Sequence, residues 1–135
     1  SRCERWTARE GWHAVATDLP PLEHLGRVLR RHPPVDVPGL PRFIGGAVGY
    51  LGYDVVRTIE SLPDAPPDDR ELPDAVMMLA DTLVVLDNLY NRATVIANVE
   101  VQADAGEEEL RRLYAGASAR IDDWIGRLAA PGGLT

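Results

Sequence analysis

The glycines in the middle of the chain are the residues whose spacing could carry chemistry. Gly46, Gly49 and Gly52 lie three residues apart, Gly45 precedes them, and Asp54 follows at the start of a predicted helix. A glycine-rich turn before a helix can bind a dinucleotide, because its amides approach the pyrophosphate closely. Two features oppose that interpretation. The first two glycines are adjacent, and the Asp54 carboxylate would compete with a phosphate for the same amides.

Close packing is the interpretation that we favour for these glycines. Glycine inside a strand is typical of a place where another backbone or a large ring approaches. Tyr50 and Tyr53 lie among the glycines and could supply such rings. The run is apolar and uncharged over residues 43–53, which predicts a buried strand.

A short acidic and basic pattern follows the glycines. Asp54, Arg57 and Glu60 are three residues apart in a predicted helix over residues 55–62. A catalytic pair of carboxylates would need burial and shifted pKa values. The spacing is more typical of a capping aspartate and an ion pair within the helix. Arg57 could also anchor the segment to a neighbouring loop.

Charge and composition exclude several functions. All 14 basic residues are arginine, which excludes a Walker A lysine and a Schiff-base lysine. The net charge of −7 and the lack of an arginine cluster argue against nucleic acid as a partner. No stretch approaches the roughly 20 apolar residues that a membrane span needs. We expect a cytoplasmic protein without a nucleic-acid or membrane partner.

The remaining candidate ligands and nucleophiles predict no site. His13, His24 and His32 have no metal-ligand spacing, and Cys3 is the lone cysteine. The serines have no nucleophile-elbow context. We therefore expect no catalytic residue, no metal site and no cofactor site in this chain.

The predicted elements form an α+β arrangement of mostly antiparallel strands with flanking helices. A short strand over residues 11–17 precedes a helix of about ten residues, with Asp18 as its N-cap. A proline-rich connector occupies residues 33–42, and an acidic, proline-rich surface loop occupies residues 63–74. We treat residues 1–135 as a single, partial domain.

The second half of the chain predicts a hairpin and a long helix. Segments 75–87 and 93–101 flank a turn, and the first is either two strands or one strand with a bulge near Asp81. In the second segment, Val95 and its alternate neighbours form the apolar face. The last helix spans residues from about 105 to 130. Asp104 and Glu107 form a capping-box-like start, and residues 131–133 end the helix.

The residues from 41 to 63, PRFIGGAVGYLGYDVVRTIESLP, resemble component I of anthranilate synthase, a chorismate-using enzyme. The resemblance continues through LPDAVMMLADTLVVLDN and TVIANV and covers the chain from about Asp18 onward. It implies a partial N-terminal domain of that fold, internal to a longer protein. The matching positions form a family structural motif that consists of Phe43, Gly45, Gly46, Gly49, Tyr50, Gly52, Tyr53, Asp54, Arg57 and Glu60.

The resemblance implies a lyase whose catalytic part lies beyond this chain. The resemblance implies that, in the full-length enzyme, Mg²⁺ would hold chorismate and ammonia from a glutamine amidotransferase subunit would replace a hydroxyl group, which leaves as water. Loss of pyruvate would then give anthranilate for tryptophan biosynthesis. Tryptophan would be its feedback inhibitor. The family's regulatory leucine-leucine-glutamate-serine motif is absent here. The chain alone is expected to be a scaffold or regulatory part without activity.

Two alternatives stay open from the sequence. The component I of para-aminobenzoate synthase has a similar glycine-rich stretch that is followed by a tyrosine-aspartate pair. A free-standing module that binds an amino acid or an aromatic ligand is the other alternative. If the chain is truncated, exposed strand edges and an apolar face should cause self-association.

Overall fold

The computed structural model describes residues 3–130, and its internal contacts divide the chain into two compact units. The first unit comprises residues 1–33 and 48–78, and the second comprises residues 34–47 and 79–135. Antiparallel strand pairs together with helices confirm the predicted α+β class. The strands form three two-stranded sheets. The predicted end of the last helix at residues 131–133 lies outside the described residues.

The first unit begins with a hairpin that the sequence pattern predicted only in part. Strand β1 spans Glu4–Thr7 and pairs antiparallel with β2, Gly11–Ala14, so that Trp6 lies opposite Trp12. No strand was predicted before residue 11, because the segment is charged. Strand β2 ends before the predicted limit at residue 17, and both tryptophans are exposed.

Helix α1 spans Pro21–Arg30 and has the predicted length of ten residues. The prediction that Asp18 caps this helix is wrong. Pro20 occupies the cap position in an extended conformation, with φ −54° and ψ 148°, and no side chain caps the helix. A residue before a proline is disfavoured in the helical region, so Pro20, which precedes Pro21, stays extended and the helix begins at Pro21.

Strand β3, Gly46–Leu51, pairs with β4, Ala75–Ala80. The prediction of a buried strand over residues 43–53 is wrong in burial and in length. Most of β3 is exposed, and the strand begins only at Gly46, whose φ of +135° favours glycine. A 3₁₀ helix follows at Tyr53–Thr58, and its Val55 is buried. The structure has no helix or strand in residues 33–42 or 63–74.

The second unit contains the predicted hairpin. Strand β5 spans Thr82–Asp87 and pairs antiparallel with β6, Arg92–Ala97. Segment 75–87 is therefore two strands that separate at Asp81, one of the two predicted possibilities. Strand β6 is shorter than the predicted 93–101. The most buried residue of β6, Ile96, lies on the face that alternation had assigned to polar residues.

Helix α2 spans Glu107–Ala129 and packs against β6. The predicted capping box of Asp104 and Glu107 is wrong, because Gly106 holds the cap position and no side chain caps the helix. Glutamates at positions 107–109 instead place negative charge in the first turn, where the helix dipole favours it. Ala117 is the buried residue of this helix.

The apolar interior is small in both units. Val55, Ile96 and Ala117 are the buried hydrophobic residues of the described chain, and none of the side chains in residues 3–130 is fully buried. Many large apolar side chains are exposed in strands and helices alike. No helix within residues 3–130 is long and apolar enough to cross a membrane.

Candidate functional site

The glycines of β3 face the main chain of β4 at close range. A Cβ atom added at Gly49 would overlap the carbonyl oxygen of Val76 and lie 2.9 Å from the Cα of Met77. A Cβ at Gly52 would lie 3.1 Å from the carbonyl oxygen of Asp74. The Gly52 amide donates a hydrogen bond of 2.6 Å to that same oxygen. The space that a side chain would need at these positions is therefore occupied by backbone.

A second close approach lies at Gly45, the first residue of the glycine run, in the second unit. A Cβ at Gly45 would lie 2.8 Å from the Nδ2 atom of Asn98 and 3.1 Å from the carbonyl oxygen of Ala80. The Asn98 amide group donates to the carbonyl oxygens of Ile44, at 2.5 Å, and Asp81, at 3.2 Å. Asn98 thereby joins the chain before β3 to the β4–β5 junction.

The Asn98 contacts continue to the last helix. The Asn98 backbone amide donates to the Asp81 carbonyl oxygen at 2.7 Å, and the Asn98 carbonyl oxygen accepts from the Arg120 guanidinium at 2.7 Å. One residue thus connects three segments of the second unit. Sequence reasoning did not single out Asn98, because an asparagine at a strand end is also a common turn residue.

The aromatic residues of the motif do not pack as predicted. The hydroxyl of Tyr50 donates to the Pro73 carbonyl oxygen at 2.9 Å, whereas Tyr53 is 85% exposed. The ring that approaches a glycine is Phe43, whose Cε2 atom lies 3.5 Å from a Cβ built on Gly46. Main chain, rather than a tyrosine ring, is the close neighbour of Gly49 and Gly52.

The acidic and basic residues after the glycines form a local ion pair. Arg57 Nε donates to the Asp54 carboxylate at 2.6 Å, as the three-residue spacing predicted. The prediction that Asp54 caps a helix is wrong, because Gly52 holds the cap position of the 3₁₀ helix. Arg57 Nη1 also donates to the Leu62 carbonyl oxygen at 3.0 Å and holds the following turn. Glu60 is exposed.

Within residues 3–130, no group of three or more histidine, cysteine, aspartate or glutamate side chains could hold a metal ion. The Asp54–Arg57 pair is partly exposed, with 49% and 27% of the respective side chains accessible. The motif thus offers strand packing and a local ion pair.

Both units contain an open cavity. In the first unit, a cavity of about 480 Å³ is lined by residues before and at the start of α1. Two residues of the 3₁₀ helix, Arg57 and Thr58, complete its lining. In the second unit, a cavity of about 470 Å³ lies between α2 and the chain at and after the end of β6. The second cavity is mainly apolar, and no charged side chain lines it.

Several curated proteins that are similar to this chain share one name. The chain is 41% identical over 113 residues to anthranilate synthase component 1 of Pseudomonas aeruginosa. The match covers 82% of this chain and 22% of that protein. The chain is 37% identical over 136 residues to the protein of that name from Mycobacterium bovis, covering 93% of this chain and 26% of the relative. No family model matches the sequence.

A solved structure has the same fold. The crystal structure of anthranilate synthase component I from Streptococcus pneumoniae superposes with a TM-score of 0.65 at 21% sequence identity. The match covers 90% of this chain and 25% of that chain. At 21% identity, the similarity between the two structures shows a shared fold and nothing about function.

In sequence and in fold, the chain resembles a segment of anthranilate synthase component 1, and it has the α+β class of a partial domain. The chain spans about a fifth to a quarter of the length of the curated relatives it matches.

Proposed function

We propose that this chain forms part of the N-terminal framework of an anthranilate synthase component I. The full-length enzyme, a lyase of tryptophan biosynthesis, would convert chorismate and ammonia to anthranilate, pyruvate and water. The chain would supply fold and positioning, and it would have no activity alone. The observation that carries this proposal is the close packing of β4 against the glycine-rich strand. Main-chain atoms lie beside Gly49 and Gly52, in the space that a bound ligand would need.

The residues for catalysis would come from the rest of the full-length protein. Mg²⁺ is the implied cofactor, and it would assist loss of a hydroxyl group as a Lewis acid. The residues described here do not fit that ion, because they contain no cluster of three carboxylate or imidazole ligands. We derive no step through the metal in this chain.

The partners of the full-length protein follow from the same proposal. A glutamine amidotransferase subunit would supply ammonia, tryptophan would act as feedback inhibitor, and the enzyme would work in the cytoplasm. The name that the relatives carry supports the anthranilate branch over the para-aminobenzoate branch. None of these partners has an assigned contact in the described residues.

A graft tests the proposal. The matching stretch of the Pseudomonas aeruginosa relative is replaced by this chain, and anthranilate fluorescence is measured with chorismate, Mg²⁺ and an ammonium salt. We expect the graft to form anthranilate and the isolated chain to form none. Turnover by the isolated chain, or a soluble graft without turnover, would contradict the proposal.

Calorimetry with the isolated chain separates the framework from a ligand-binding module. We expect no heat of binding with tryptophan or chorismate. Saturable binding at micromolar concentration would favour the free-standing module instead.

A further inference from the structure

We draw no further inference here: the strongest candidate, the open cavity that the start of α1 lines together with Arg57 and Thr58, carries nothing because it rests on a helix N-terminus, its arginine already bonds to Asp54 and to the Leu62 carbonyl oxygen, and no buried polar side chain within residues 3–130 points to a ligand there.

Discussion

Gly49→Ala is the substitution that most sharply tests the packing of β3 on β4. The added Cβ would overlap the carbonyl oxygen of Val76 and lie 2.9 Å from the Cα of Met77. Both obstacles are main-chain atoms, which can move only if the strands separate. Overpacking usually costs about 1–3 kcal/mol and sometimes more. Because no flexible side chain can yield here, we expect a loss of at least about 3 kcal/mol in the free energy of unfolding.

The assay is urea and thermal unfolding followed by far-ultraviolet circular dichroism. A loss of about 3 kcal/mol should lower the melting temperature by about 10 °C in a chain of this size. Gly116→Ala is the matched control, because nothing lies within 4 Å of a Cβ built at this exposed helical glycine. That control should gain up to about 1 kcal/mol from helix propensity. Equal unfolding midpoints for Gly49→Ala and the unmodified chain would refute the reasoning.

Three further substitutions or measurements follow from the same contacts. Asn98→Ala leaves the Ile44 and Asp81 carbonyl oxygens without their side-chain donor, and we expect urea unfolding to show a loss of about 1–3 kcal/mol. An unchanged midpoint would contradict this role. Asp54→Ala breaks the partly exposed pair with Arg57, leaves the Arg57 bond to the Leu62 carbonyl oxygen in place, and should cost less than about 1 kcal/mol in the same assay. A larger loss would show that the pair is more than a surface contact. The isolated chain should bind a hydrophobic dye and self-associate in sedimentation experiments, because many large apolar side chains are exposed. A monomeric chain that leaves the dye dark would refute this expectation.

Local patterns predicted the elements whose signal lies within a few residues. The β5–β6 hairpin and the length of α1 follow from turn residues and apolar spacing, and the break at Asp81 was one of two possibilities that the sequence left open. The ion pair between Asp54 and Arg57 follows from its three-residue separation. These features need no information about distant parts of the chain, because their partners are sequence neighbours.

The errors arose where long-range contacts or proline geometry decide the outcome. Asp18 has the right chemistry for a cap, but two prolines delay the start of α1. The apolar run at β3 predicted burial, yet most of the strand is exposed because β4 is its single strand partner in the described chain. Asn98 was missed because its bond to Ile44 joins residues that are 54 positions apart.

Backbone hydrogen exchange of the β3 segment in the graft is the most direct test of the central claim, that the glycines pack against a strand and do not bind a phosphate. Peptides that cover residues 47–53 are compared with the exposed loop over residues 63–74, with and without ADP. We predict that the β3 peptide, including the Gly52 amide bonded to Asp74, exchanges much more slowly than the loop, and that ADP changes neither rate. A β3 peptide that exchanges as fast as the loop, or that gains protection only when ADP is added, would contradict the account.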